Sequence, residues 1–156
     1  MTKQNAIKIF EEKKVRTIWD DQEEKWYFSI VDVVSILTDS VNPTDYLKKM
    51  RKRDEQLALF LGTNCPQITM VTASGKKRKT LAGDTRAILR LIQSIPSPKA
   101  EPFKLWMAQV ASERLDQMQD PELSINQALA DYKRLGYSDN WINQRLKSIE
   151  IRKDLT

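Results

Sequence analysis

Histidine is missing from all 156 residues, and cysteine occurs once, at Cys65. Without an imidazole, most arrangements of nucleophile and neighbouring base are closed to this chain, and a single thiol cannot form an internal disulfide. Cys65 sits in the loop-like stretch Thr63-Asn64-Cys65-Pro66 with no second thiol nearby, which fits a reducing compartment. Glycine is scarce, at four residues, and none belongs to a Gly-rich phosphate loop. No apolar run approaches the roughly 18 residues of a membrane span. The start, Met1-Thr2-Lys3-Gln4-Asn5, lacks the apolar segment and small-residue cleavage site of a secretory signal. A cytoplasmic protein with no membrane partner is therefore expected. No cofactor is expected either, and a carboxylate-based nuclease is the enzyme class that composition leaves open.

What is present is 40% hydrophobic and 30% charged residues, an ordinary globular balance with a net charge of +5. The excess is localised. Residues 1–47 carry 6 basic and 9 acidic groups (−3), residues 48–104 carry 13 and 4 (+9), and residues 105–156 carry 7 and 8 (−1). A basic middle between acidic flanks is the pattern of a polyanion-facing surface.

Ile7 to Phe10, Val15 to Trp19 and Lys25 to Phe28 are short, β-branched and aromatic, and read as a small antiparallel meander. Ser29-Ile30-Val31-Asp32 has capping-box spacing, placing the serine hydroxyl and the Asp32 carboxylate to satisfy free amides of a first helical turn. Ile30, Val33, Val34 and Leu37 then follow at helical spacing. Asn42-Pro43 starts a second helix with Tyr46, Leu47 and Met50 as its apolar side. A loop through Gly62, Asn64 and Pro66 is expected to lead to a second hairpin: Gln67 to Thr72, a turn at Ser74-Gly75, and Arg78 to Ala82. Asp84 caps a helix bearing Ile88, Leu91, Ile92 and Ile95, which Pro96-Ser97-Pro98 stops. The next helix becomes regular from Pro102, with Phe103, Trp106, Met107 and Val110 as a buried stripe, and runs to about Met118. Asp120-Pro121 and Ser138-Asp139 start two further helices, the first closed by Gly136, the second carrying Ile142, Leu146 and Ile149. No internal repeat or low-complexity tract occurs, and the last helical pattern reaches almost to Thr156, as in a piece of a longer chain. The fold class expected is α+β, a small antiparallel sheet of hairpins packed with helices and followed by a C-terminal helical hairpin.

Two cation clusters stand out in the basic middle. Lys48, Lys49, Arg51, Lys52 and Arg53 wrap the sides of the second helix left by its apolar residues, a surface suited to phosphates. The plain alternative is a solvated helix end whose cations offset the macrodipole. Lys76, Lys77, Arg78 and Lys79 follow the Ser74-Gly75 turn, so that four cations project from one hairpin, a shape that enters a groove or clamps a backbone. Its alternative is an edge strand guarded by lysines. Gly136 and Ile142 hint at a helix-turn-helix, but Tyr132, where a small residue is wanted, favours a plain helical hairpin. Trp19, Trp26, Trp106 and Trp141 could stack on bases; Trp26 and Trp106 are assigned instead to the core. Asp20, Asp21, Glu23 and Glu24 lack calcium-loop spacing and read as a solvated turn, so no metal is expected.

The run from Lys25 through Leu37, KWYFSIVDVVSIL, resembles the signature of the Bro-N domain, in which an aromatic strand feeds an Asp-Val-containing helix. Ala87 to Ser94, then Pro98-Lys99-Ala100-Glu101-Pro102-Phe103-Lys104-Leu105-Trp106, resembles that family's second signature, a Leu-Ile-x-Ser helix followed by Lys-Ala and Phe-x-x-Trp. The resemblance covers roughly residues 5 to 115. It departs from the family where Gln109-Val110-Ala111-Ser112 continues without the Val-Leu-Pro ending. It looks closest to the prophage antirepressor and DNA-damage-inducible protein D branch, where a helical extension follows. The resemblance implies a Bro-N-like domain over residues 5–118, a helical extension over 119–156, and a non-enzymatic DNA-binding module of transcription regulation or the DNA damage response. The cations at 48–53 and 76–79 would then hold the backbone of double-stranded DNA. The alternative is an antirepressor that binds a repressor or recombination protein with little DNA contact, and a homo-oligomer is a further expectation.

Overall fold

The structure, a computed structural model, describes residues 15–155, with side-chain burial through residue 150. The strand expected over Ile7 to Phe10 lies outside the described residues. The chain divides into two compact units, Met1–Ala108 and Gln109–Thr156.

In the first unit, β1 (Thr17–Asp20) and β2 (Lys25–Ser29) form one antiparallel hairpin, and β3 (Gln67–Val71) and β4 (Lys77–Gly83) form another. The strand order is β1-β2-β4-β3. The hairpins join through only two register pairs, Phe28 with Gly83 and Ser29 with Ala82, so most of the β3–β4 hairpin extends beyond the junction as a two-stranded ribbon. The expected α+β class is what the chain adopts.

Helices leave the sheet where β2 and β4 end. Ser29 caps α1 (Ile30–Thr38), its Oγ accepting from the Asp32 amide at 3.4 Å. The reciprocal half of the capping box is not made. The Ser29 amide donates to the Arg16 carbonyl, and the Asp32 carboxylate is taken by Arg16, because a guanidinium offers it stronger, charge-assisted donors than a single amide. Asp84 caps α4 (Thr85–Gln93), accepting from the Ala87 amide at 2.9 Å.

Asn42 caps α2 (Pro43–Arg53), and Pro43 in its first turn forfeits no bond. The loop expected between residues 54 and 66 is instead a helix, α3 (Glu55–Asn64). Asp54 serves two helices at once: its amide donates to the Met50 carbonyl to end α2, and its carboxylate accepts from the Leu57 amide at 3.0 Å to start α3. Leu57 and Leu61, four apart, are both fully buried, while Leu59 and Gly62 face solvent.

One core gathers Ile30, Val33, Val34 and Leu37 of α1, Leu47 and Met50 of α2, Leu57 and Leu61 of α3, and Ile88, Leu91 and Ile92 of α4, with Ala100 and Phe103 closing it. Gly83 is where the sheet meets these helices. A Cβ there would lie 2.9 Å from that of Ala87 and 3.5 Å from the Ile30 and Ile88 Cδ1 atoms, so only glycine fits. After a 3₁₀ turn at Pro98–Ala100, α5 runs over Glu101–Gln119. Phe103 is buried and Trp106 half-buried, whereas Val110, expected in the same stripe, is exposed.

In the second unit α6 (Glu122–Arg134) and α7 (Asp139–Leu155) pack on one another as the expected helical hairpin. Gly136, at φ +92°, lets the Tyr137 amide reach the Tyr132 carbonyl (3.1 Å) and its own amide reach that of Lys133 (3.0 Å), a Schellman cap. Tyr132 is the centre of this turn, lying edge-on to Tyr137 and Trp141, which stack at 4.1 Å.

Candidate nucleic-acid interface

Lys48, Lys49, Lys52 and Arg53 are exposed on α2 and Arg51 is half-buried; Lys76, Lys77, Arg78 and Lys79 are all exposed at the turn end of the β3–β4 ribbon. Lys49 pairs with Asp45 at 3.2 Å, one turn back. Among the described residues the other eight of these nine cations have no carboxylate within ion-pair distance. This contrasts with Arg16, Lys25, Arg90 and Lys99, whose charges are all committed to internal partners.

The clusters stand on two separate elements. One cluster stands on the C-terminal half of α2, the other around the start of β4. Lys77 starts that strand, and six residues at about 3.3 Å each put the ribbon turn about 20 Å from its Gly83 end. Within the ribbon Lys77 lies opposite Val71 and Lys79 opposite Thr69 on one face, and Arg78 lies opposite Met70 on the other. The cations therefore line both sides of a narrow projection. Thr72 and Ser74 hydroxyls, 3.0 Å apart, and the Gly75 amide donating to the Thr72 carbonyl hold its turn, with Gly75 at φ +84°.

Two networks fix the base of the ribbon to the sheet, and sequence reasoning found neither. Arg16 grips Asp32 through Nε (2.8 Å) and Nη2 (3.1 Å), donates to the Val71 carbonyl at the end of β3 (3.2 Å), and touches the Ser29 hydroxyl (3.3 Å). The Asp32 hydrogen bond raises the Arg16 pKa further. Lys25 pairs with the α4 cap Asp84 at 3.0 Å and with Glu23 at 3.3 Å, and these bonds raise its pKa. Burial works to raise the Asp84 pKa, but the Ala87 amide and Lys25 outweigh it and hold that carboxyl below the usual range. Glu23 also accepts from the Tyr27 hydroxyl at 2.8 Å, which lowers the Glu23 pKa and raises that of Tyr27. A spacing of sixteen residues between Arg16 and Asp32 carries no pattern that a linear reading detects.

Trp26 is not a core residue. It is 50% exposed and its cross-strand partner Trp19 is 43% exposed, the rings edge-on at 5.3 Å. The turn beside them carries Asp20, Asp21, Glu23 and Glu24, with the Asp20 carboxylate accepting from the Gln22 and Glu23 amides. Cys65 ends α3 buried, and burial pushes its thiol up to about 11, so that little of it is thiolate at neutral pH. Among the described residues no three potential metal-ligating side chains cluster, and no helix is long and apolar enough to cross a membrane.

Fold and surface together define a class: a small α+β module whose uncommitted cations stand on a helix end and a protruding ribbon. The family model for the BRO family N-terminal domain matches residues 14–113, and the chain belongs to that family. The family is associated with DNA-binding regulators of the phage antirepressor type. Neither a curated protein nor a solved structure matches the chain.

Proposed function

We propose that this protein is a non-catalytic DNA-binding regulator of the prophage antirepressor type, and that Lys48, Lys49, Arg51, Lys52, Arg53 and Lys76, Lys77, Arg78, Lys79 hold the phosphate backbone of a duplex. The observation that carries the reading is that, among the described residues, eight of these cations lack an internal ion-pair partner. Charge that stabilises nothing inside the fold is free to replace the counterions of a polyanion. Cations on two separate elements grip separate stretches of backbone, which fixes orientation without reading sequence. The two helices after residue 113 fit the DNA-damage-inducible protein D-like branch, and a reducing cytoplasm suits the lone buried thiol.

Replacing Lys76, Lys77, Arg78 and Lys79 together with alanine tests the reading by fluorescence anisotropy on a random duplex. Binding should weaken alike for all sequences, and the magnitude of the log K against log salt slope should fall by up to about 3 to 4, near 0.9 per lost phosphate contact. An unchanged affinity and slope would remove the ribbon from the interface.

A second reading, a module that binds a repressor or recombination protein, is favoured by one observation. Two adjacent exposed tryptophans have the character of protein-binding hot spots, and their acidic rim repels nucleic acid. Under that reading, Trp19→Ala with Trp26→Ala abolishes nuclease-resistant retention of the partner and leaves duplex binding unchanged.

A further inference from the structure

Strand β3 turns its two sides to different surroundings. Met70 is buried with Tyr27 and Ala82, and Ile18 and Ile68 pack against them, so one side of the ribbon closes on its own sheet. Gln67, Thr69 and Val71 alternate with Ile68 and Met70 along the strand and are all exposed, Val71 at 54%. Both ends of the strand are held. The Pro66 carbonyl accepts from the Ala82 amide at 2.9 Å, and the Val71 carbonyl accepts from the Arg16 guanidinium at 3.2 Å.

The outward side divides lengthwise by chemistry. On β3 it carries an amide, a hydroxyl with its methyl, and a branched apolar group, none of them charged. On β4 it carries Lys77, opposite Val71, and Lys79, opposite Thr69. Base edges in the major groove offer what the β3 residues bind: a side-chain amide pairs with adenine, a hydroxyl donates or accepts, and apolar groups meet the thymine methyl. Phosphates take the lysines. Alternate residues of a strand are about 6.6 Å apart, close to the roughly 6.8 Å of two base steps, so the three side chains meet every second base pair. A two-stranded ribbon enters the major groove, about 12 Å wide, whereas the minor groove is about half that width.

We propose that the ribbon lies in the major groove of a duplex with β3 towards the base edges, where Gln67, Thr69 and Val71 read sequence while Lys77 and Lys79 hold phosphates along one groove wall. The proposal rests on the DNA-binding reading above. It adds a preference among sequences, which contacts to phosphates alone do not give.

Selection of bound duplexes from a randomised library by the full chain, followed by anisotropy on the enriched duplex and a scrambled one, tests it. The enriched duplex should bind about ten- to a hundredfold tighter. Gln67→Ala, Thr69→Ala and Val71→Ala together should bring that ratio to within about twofold and leave the salt slope unchanged, since no charge is removed. All three side chains are exposed, so the variant should keep the wild-type circular dichroism melt. A ratio retained in the variant would overturn the proposal. Salt-dependent binding with no enriched sequence would overturn it too, and would leave the backbone reading standing. Absence of binding to any duplex would overturn both. The groove is read on the wild-type complex without any variant. Methyl green, which occupies the major groove, should displace the protein, and netropsin, which occupies the minor groove, should not; the opposite pattern would overturn the assignment.

Discussion

Gly83 shows how one residue sets the geometry between the sheet and the helices. It ends β4, pairs with Phe28, and lies against α1 and α4 with no room for a side chain. Gly83→Ala should cost about 1 to 3 kcal/mol, because the contact at 2.9 Å is with the Ala87 Cβ, which cannot swing away as a flexible side chain would. Urea unfolding checks this: an unchanged midpoint would mean that α4 is free to shift from the sheet. Arg16 acts at the same scale. One guanidinium ties the first turn of α1, through Asp32, to the last residue of β3, and so sets where the ribbon springs from. Neither role was legible in the sequence. A glycine before an aspartate reads as punctuation, and a salt bridge between residues sixteen apart exists only once the chain has folded.

Most elements were legible because caps and periodicity agreed. Ser29, Asn42 and Asp84 each cap the helix that the apolar spacing after them predicts. The exception, α3, has the same cap chemistry at Asp54, but that cap is hidden in the charged end of α2 with no glycine or proline between, and Gly62 imitates a loop. Trp26 fails for a different reason: alternation along β2 places it on the same face as Phe28, but the helical core does not extend as far as the β1–β2 turn. The cluster cations at 48–53 and 76–79 were legible as charge runs. That all of them but Lys49 lack a carboxylate partner among the described residues was not, since pairing depends on where the carboxylates fold.

The caps themselves titrate. The Asp54 and Asp84 carboxyls are held below their ordinary value by the Leu57 and Ala87 amides, with Ser94 and Arg90 assisting at Asp54 and Lys25 at Asp84. A carboxylate whose folded pKa is depressed stabilises the fold above its unfolded value, near 4, and that contribution disappears as pH falls through the folded value. The midpoint of thermal unfolding should therefore hold from neutrality to about pH 5 and fall steeply below about pH 4. In Asp54→Asn with Asp84→Asn, which keeps a capping oxygen but removes the titration, circular dichroism melts should show a shallower fall. Equal slopes would place the acid sensitivity elsewhere.

At the scale of the whole molecule the chain separates its charge. The acidic carboxylates of residues 1–47 partly serve the fold, as Glu23, Asp32, Asp39 and Asp45 show, while the basic middle leaves most of its excess on the surface. Such a division is what the proposed polyanion-binding role uses: exposed cations on a ribbon and a helix end. A labelled random duplex titrated with the protein across a salt series tests this most directly, by fluorescence anisotropy. The account predicts binding at low micromolar protein in low salt that weakens linearly in log–log form as salt rises, with a slope of several units. No binding even at low salt, or binding indifferent to salt, would contradict it and leave the exposed tryptophan pair as the surface through which this protein acts.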